Sequence, residues 1–168
     1  MSSYTPQIIL GIDPGTRITG YGVIQMGNNT ELEPIDFGCI RPPVHLHLPA
    51  RYLALFNGVE TLLEKFTPHA LAVETQFVHK NAQTAIKLGM ARGAVLICAA
   101  KHNIPIYEYA PKKAKLAVVG HGGASKEQVQ KMVQLLLKLP TPPEPQDAAD
   151  ALIIAICHAH RSCLTENS

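Results

Sequence analysis

The chain has 168 residues, a net charge of +2 and 46% hydrophobic content, which excludes a disordered chain and fits one globular domain, 1–168, without disulfide staples. Its longest apolar runs, such as Gly93–Ala100 and Ala151–Cys157, are too short to cross a bilayer, and no basic segment followed by an apolar run marks a secretory leader, so a cytoplasmic protein with no membrane attachment is expected. The small net charge announces no nucleic-acid partner, and Cys39, Cys98, Cys157 and Cys163 contain no CxxC pair and read as reduced thiols.

Gln7–Ile12 is short, apolar and rich in Ile, which predicts a buried strand. Asp13-Pro14-Gly15-Thr16 follows as a turn; Pro at its second position and Gly at its third suggest type II, with Gly15 at positive φ. Thr19–Met26 and Asp36–Ile40 complete an antiparallel meander, with Gly27-Asn28-Asn29 as its second turn. After the Pro-rich Arg41–Pro49 loop, Leu53, Phe56, Val59, Leu62 and Leu63 space a helix over Ala50–Phe66. Ala70–Val73 is a short buried strand ending at Glu74, Asn81–Lys101 a long helix, Ile104–Tyr109 a strand and Lys112–Val119 a short helix. Ser125, with Gln128 three residues on, caps a helix over Lys126–Leu139, and Pro140–Pro145 separates it from the last helix, Gln146–Arg161. Three antiparallel strands followed by helix–strand–helix–strand–helices predict an α/β fold with a mixed sheet flanked by helices.

Four carboxylates occupy places where carboxylates are uncomfortable. Asp13 and Glu74 each directly follow a buried strand, and Asp147 and Asp150 share one face of an Ala-rich helix. A helical crossover between parallel strands brings their carboxyl ends to one edge, where open sheets place their sites. Like charges gathered there need a cation. Mg²⁺, which takes oxygen ligands, is the natural candidate, with Mn²⁺ able to substitute. Two such ions about 4 Å apart stabilise both the attacking and leaving oxygens of a phosphoryl displacement. Taken singly, Asp13 also suits a turn and Asp147 a helix first turn.

Lys112, Lys113, Lys115, Lys126 and Lys131 fall in a stretch whose one acid is Glu127; by charge alone this reads as a solvated face. Ala85, Gly89 and Gly93 form a small-residue stripe that fits either packing on the chain's own sheet or a subunit contact. His45/His47 and His158/His160 match no common zinc spacing.

Together, Ile12-Asp13-Pro14-Gly15-Thr16, Thr19-Gly20-Tyr21-Gly22, Val73-Glu74 with Phe77 three residues on, and Asp147-Ala-Ala-Asp150-Ala-Leu resemble the RuvC crossover junction endodeoxyribonuclease family. Lys80-Asn81, Lys87-Leu88-Gly89, Ala91-Arg92-Gly93 and Val118-Val119-Gly120 extend the resemblance from about Gln7 to His160. It implies a ribonuclease H-like fold, a homodimer and Mg²⁺-dependent cutting of four-way DNA junctions in recombination and repair. It also implies cooperation with the RuvA–RuvB branch-migration complex. It assigns catalysis and metal binding to Asp13, Glu74, Asp147 and Asp150, DNA contact to Lys115 and Lys126, and base stacking to Phe77. Thr75-Gln76 departs from the Gln-Val often found between the Glu and the Phe of the family. The rivals are a ribonuclease H-like enzyme acting on RNA–DNA hybrids or single strands, an actin-like ATPase and a non-catalytic DNA-binding module. The ATPase would need a second nucleotide-binding lobe. The binding module would have no reason to keep four acids near phosphate.

Overall fold

The computed structural model describes residues 5–75 and 80–166. Its five-stranded sheet has the order β3-β2-β1-β4-β5, with β1 at Gln7–Asp13, β2 at Thr19–Met26, β3 at Leu32–Ile40, β4 at Ala70–Glu74 and β5 at Ile106–Tyr109. β1, β2 and β3 pair antiparallel, and β1, β4 and β5 pair parallel. The central strands β1 and β4 are buried on both faces, which is why they read as continuous apolar runs.

Helices α1 (Leu48–Phe66) and α2 (Ala82–Lys101) cover one face, packing Leu55, Val59, Val95 and Cys98 against Leu10, Ile12, Leu71 and Val73. Helices α3 (Pro111–Val119), α4 (Lys126–Leu136) and α5 (Gln146–Glu166) cover the other, where Ile9, Ile24 and Ala72 meet Leu152, Ile154 and Ala155. The period of two along a strand then fixes the acids. Ile9 and Ala72 face α5, so Asp13, four residues after Ile9, and Glu74, two after Ala72, point to that side as well.

Helix α5 lies almost on the backbone of β1 and β2. A Cβ on Gly20 would stand 1.9 Å from the Asp147 carbonyl oxygen, and one on Gly11 2.2 Å from that of Ala151. The alanines of α5 supply half of this close approach and the strand glycines the other half.

Several boundaries differ from the sequence expectation for physical reasons. β3 begins at Leu32, because an edge strand tolerates Pro34 and a bulge between Val23 and Ile24 absorbs the extra residue. α1 begins at Leu48, since Pro49 suits a first turn and the His47 ring accepts the Ala50 N–H at 3.2 Å. β5 starts two residues later than expected, after Asn103 at φ 54°, and α4 ends before Lys138 at φ 52°. The Asp-Pro-Gly-Thr turn is not type II: Gly15 is absent from the positive-φ residues. Glycine is needed there for space, because a Cβ would lie 2.1 Å from the Ile18 carbonyl oxygen.

Candidate active site

The four acids converge at the carboxyl ends of β1 and β4. Ile12 pairs with Val73 in the parallel register, so Asp13 and Glu74 leave adjacent strands side by side. Asp147 sits with its backbone over Gly20, on the β2 side of Asp13, while Glu74 stands on the β4 side. Asp13, Glu74 and Asp150 line one cavity of about 100 Å³ together with Pro111, Lys115, Ile153 and Ile154. Asp147 is half-buried beside that cavity, outside its lining.

Electrostatics confirm the crowding. Burial first, then the charges of Glu74, Asp150 and Asp147, push the Asp13 carboxyl up to about 8, against an opposing pull from Lys115. Burial and then Asp150 push Glu74 up to about 7, again opposed by Lys115. Asp150 is raised by burial and restrained by the Gln146 amide, whose Nε2 donates to Oδ1 at 3.0 Å, by Lys115 and by Lys126. Hard carboxylate oxygens, half-buried, mutually repelling and faced by a single ammonium in their cavity, suit divalent cations that take oxygen ligands. Among the described residues, the triad with ligand atoms all within 4.8 Å is elsewhere, at Glu60, Glu64 and His102. There Lys101 and His102 already contact Glu60 at 2.7 and 2.9 Å. The four edge acids are spread more widely than one such shell.

Lys115 is half-buried inside the acid cavity, whereas Lys126 is exposed at the start of α4 and acts on Asp150 from outside. The lysine stretch therefore divides: Lys115 belongs to the acids, and Lys112, Lys113 and Lys131 are exposed. Phe77 lies outside the described residues. Among the described residues, nothing lies within 4 Å of a Cβ added to Gly89 or Gly93, so at these two positions the stripe does not pack on the chain's own sheet. Exposed Ile86, Met90 and Ile97 lie on the same face of α2. Two of these histidines are engaged elsewhere: His47 caps α1, and the buried His158 ring meets the Tyr109 hydroxyl at 2.7 Å.

Three supports of the site escape sequence reasoning. Gln146 orients Asp150. Thr19, fully buried, exchanges hydrogen bonds of 3.1 Å with the Gly15 backbone N–H and carbonyl. Arg51 on α1 donates to the Thr16 carbonyl at 2.7 Å, holding the turn that follows Asp13. Gln146, one residue before Asp147, is at least suggested by its i, i+4 spacing to Asp150. The Arg51 contact spans 35 residues, and no local pattern announces it.

A family model described as crossover junction endodeoxyribonuclease RuvC matches residues 9–158. The crossover junction endodeoxyribonuclease RuvC of Protochlamydia amoebophila is 61% identical over 160 residues, covering 95% of each chain. Among solved structures, T. thermophilus RuvC in complex with Holliday junction substrate superposes with a TM-score of 0.89 at 34% identity, covering 95% of this chain and 96% of that one. The yeast mitochondrial Holliday junction resolvase Ydc2 shares the fold, with a TM-score of 0.67 at 16% identity over 95% of this chain and 82% of its own. The mixed sheet is thus the expected ribonuclease H-like arrangement, and the chain belongs to the crossover junction endodeoxyribonuclease RuvC family.

Proposed function

We propose that this chain is a structure-selective DNA endonuclease that resolves four-way junctions by paired symmetric nicks, serving homologous recombination and DNA repair. The observation that carries the chemistry is the single cavity lined by Asp13, Glu74 and Asp150 with Lys115 among them. Asp13, Glu74, Asp147 and Asp150 are the residues that would hold two Mg²⁺ ions. When bound, such ions activate a water and stabilise the attacking and leaving oxygens of an in-line displacement at phosphorus. Asp13 stands between Glu74 on the β4 side and Asp147 on the β2 side. Lys115 offsets part of the carboxylate charge, so a phosphate can approach. Lys126, at the cavity's outer side, docks the DNA backbone. Phe77 is assigned to base stacking at the crossover by family resemblance alone, as is cooperation with RuvA–RuvB.

The substrate asks for two active sites. A four-way junction has two strands of like polarity related by a two-fold axis, and one copy of this chain supplies one set of acids. An isologous dimer provides both. The α2 face bearing Ile86, Met90, Gly93 and Ile97 supports such a contact, since it joins exposed apolar side chains to small residues that let helices approach. The single sheet supports treating residues 1–168 as one nuclease domain.

The deciding assay offers a synthetic four-way junction, a linear duplex and an RNA–DNA hybrid, each with and without Mg²⁺. Paired nicks in the junction alone, dependent on the metal and lost in Glu74→Gln and Asp150→Asn, are expected. Cutting of the hybrid in preference to the junction would refute the substrate assignment.

A further inference from the structure

The catalytic cavity meets α3 through Pro111 and Lys115. Half a helical turn round, Lys113 and Ala117 line a second cavity of about 700 Å³. Its other walls include Thr75, the residue after Glu74, the end of β5 and Arg161 on α5. The two cavities therefore flank α3 at the same sheet edge, and a strand lying across one would run on towards the other. The volume falls within the roughly 300–1,000 Å³ of ligand pockets.

Its charge and polar groups point to one kind of occupant. The acid of this cavity, Glu108, is ion-paired to Arg92. Lys113 and Arg161 are exposed and form no ion pair among the described residues, so the cavity has a positive excess. The Arg161 guanidinium lies 5.9 Å from the centre of the Tyr109 ring, which steadies a flat cationic surface against which a base can stack. The Thr75 hydroxyl oxygen is buried in the wall with no hydrogen-bond partner among the described residues. An unpaired buried hydroxyl is costly and asks for a ligand or a water.

We propose that this cavity receives one unpaired nucleotide of the DNA strand being cut, with Lys113 on its phosphate, Arg161 stacked on its base and Thr75 bonded to its edge. The assignment rests on the nuclease reading above. A base inside a duplex is stacked and cannot enter, whereas a branch point releases bases at low cost. The cavity therefore selects for junctions over linear duplex.

The test uses full-length wild type, Arg161→Gln, Arg161→Lys and Lys113→Gln with a four-way junction carrying 2-aminopurine at successive positions near the cut, in Ca²⁺ to hold off cleavage. Wild type should change the fluorescence at one position. Arg161→Gln should abolish that change, raise the junction Kd about three- to tenfold and leave duplex binding alone. Arg161→Lys should restore affinity but not the fluorescence change, since an ammonium cannot stack. Lys113→Gln should lower the salt slope of log K by about one. Both residues are exposed, so native circular dichroism is expected throughout. Variants that match wild type in Kd, slope and fluorescence, while wild type still cuts junctions, would overturn the pocket and leave the nuclease reading standing. A wild type that neither binds nor cuts junctions would overturn both.

Discussion

Replacing Asp13 by Asn should stabilise the metal-free protein at pH 8 while destroying cleavage. Asp13 is raised from 3.8 to about 8 by burial and by three neighbouring carboxylates. Between those values it holds a proton in the fold but is ionised in the unfolded chain. The unfolded state thus binds fewer protons, and the stability of the metal-free protein falls as pH rises from about 4 to about 8. A shift of about four units corresponds to a ceiling of roughly 5 kcal/mol at 1.36 kcal/mol per unit. Solvent reaching a half-buried group reduces this, and about 2 kcal/mol is a working figure. For a chain of this size that is a rise of about 4–8 °C in Tm for Asp13→Asn over wild type at pH 8, shrinking towards zero at pH 5. Millimolar Mg²⁺ should then raise the Tm of wild type more than that of the variant, because cations binding only the fold add stability through these carboxylates. Thermal melts of both proteins at pH 5, 6.5 and 8, with EDTA or Mg²⁺, measure all of this. A Tm gap independent of pH, or equal Mg²⁺ shifts in the two proteins, would refute the claim that Asp13 sits in an uncompensated cluster of acids.

The lysines should separate by location. Lys115→Ala should lower the cleavage rate at least tenfold, because its ammonium lies among the acids, whereas Lys126→Ala should act chiefly on junction affinity and reduce the salt slope by about one. Lys101→Ala, whose ammonium is engaged with Glu60, serves as the comparison and should leave both nearly unchanged. Gly89→Leu should weaken dimerisation without unfolding the monomer, since an added side chain meets nothing among the described residues within 4 Å; sedimentation velocity decides, and a wild type monomeric at micromolar concentration even with junction bound would exclude the dimer. Gly20→Ala should cost about 2–3 kcal/mol and most of the activity, because the new methyl group must displace the Asp147 backbone; a melt equal to wild type would contradict the close packing of α5.

Local pattern was enough for much of this molecule. Short apolar runs and turn residues marked β1, β2 and β4, the Ser125–Gln128 capping box marked α4, and the four acids stood out because each sat at the end of an element or within an apolar stretch. These signals are short-range: a strand's period and a helix's cap depend on neighbours a few residues away. The family resemblance added what no spacing supplies, namely the substrate and the roles of Lys115, Lys126 and Phe77.

The tertiary structure decided the rest. Lysines of one stretch look alike in sequence, yet the helical register of α3 turns Lys115 into the acid cavity and Lys113 away from it. The small residues of α2 were open to two readings, and only the placement of α1 and the sheet against the opposite face leaves Gly89 and Gly93 facing open space. Gly20 and Gly11 gave no hint that a helix more than 120 residues further along the chain would rest on them, and Arg51 none that it braces the turn after Asp13. Sequence periodicity determines which face of an element is apolar, but which element covers that face is settled by contacts between residues far apart in the chain.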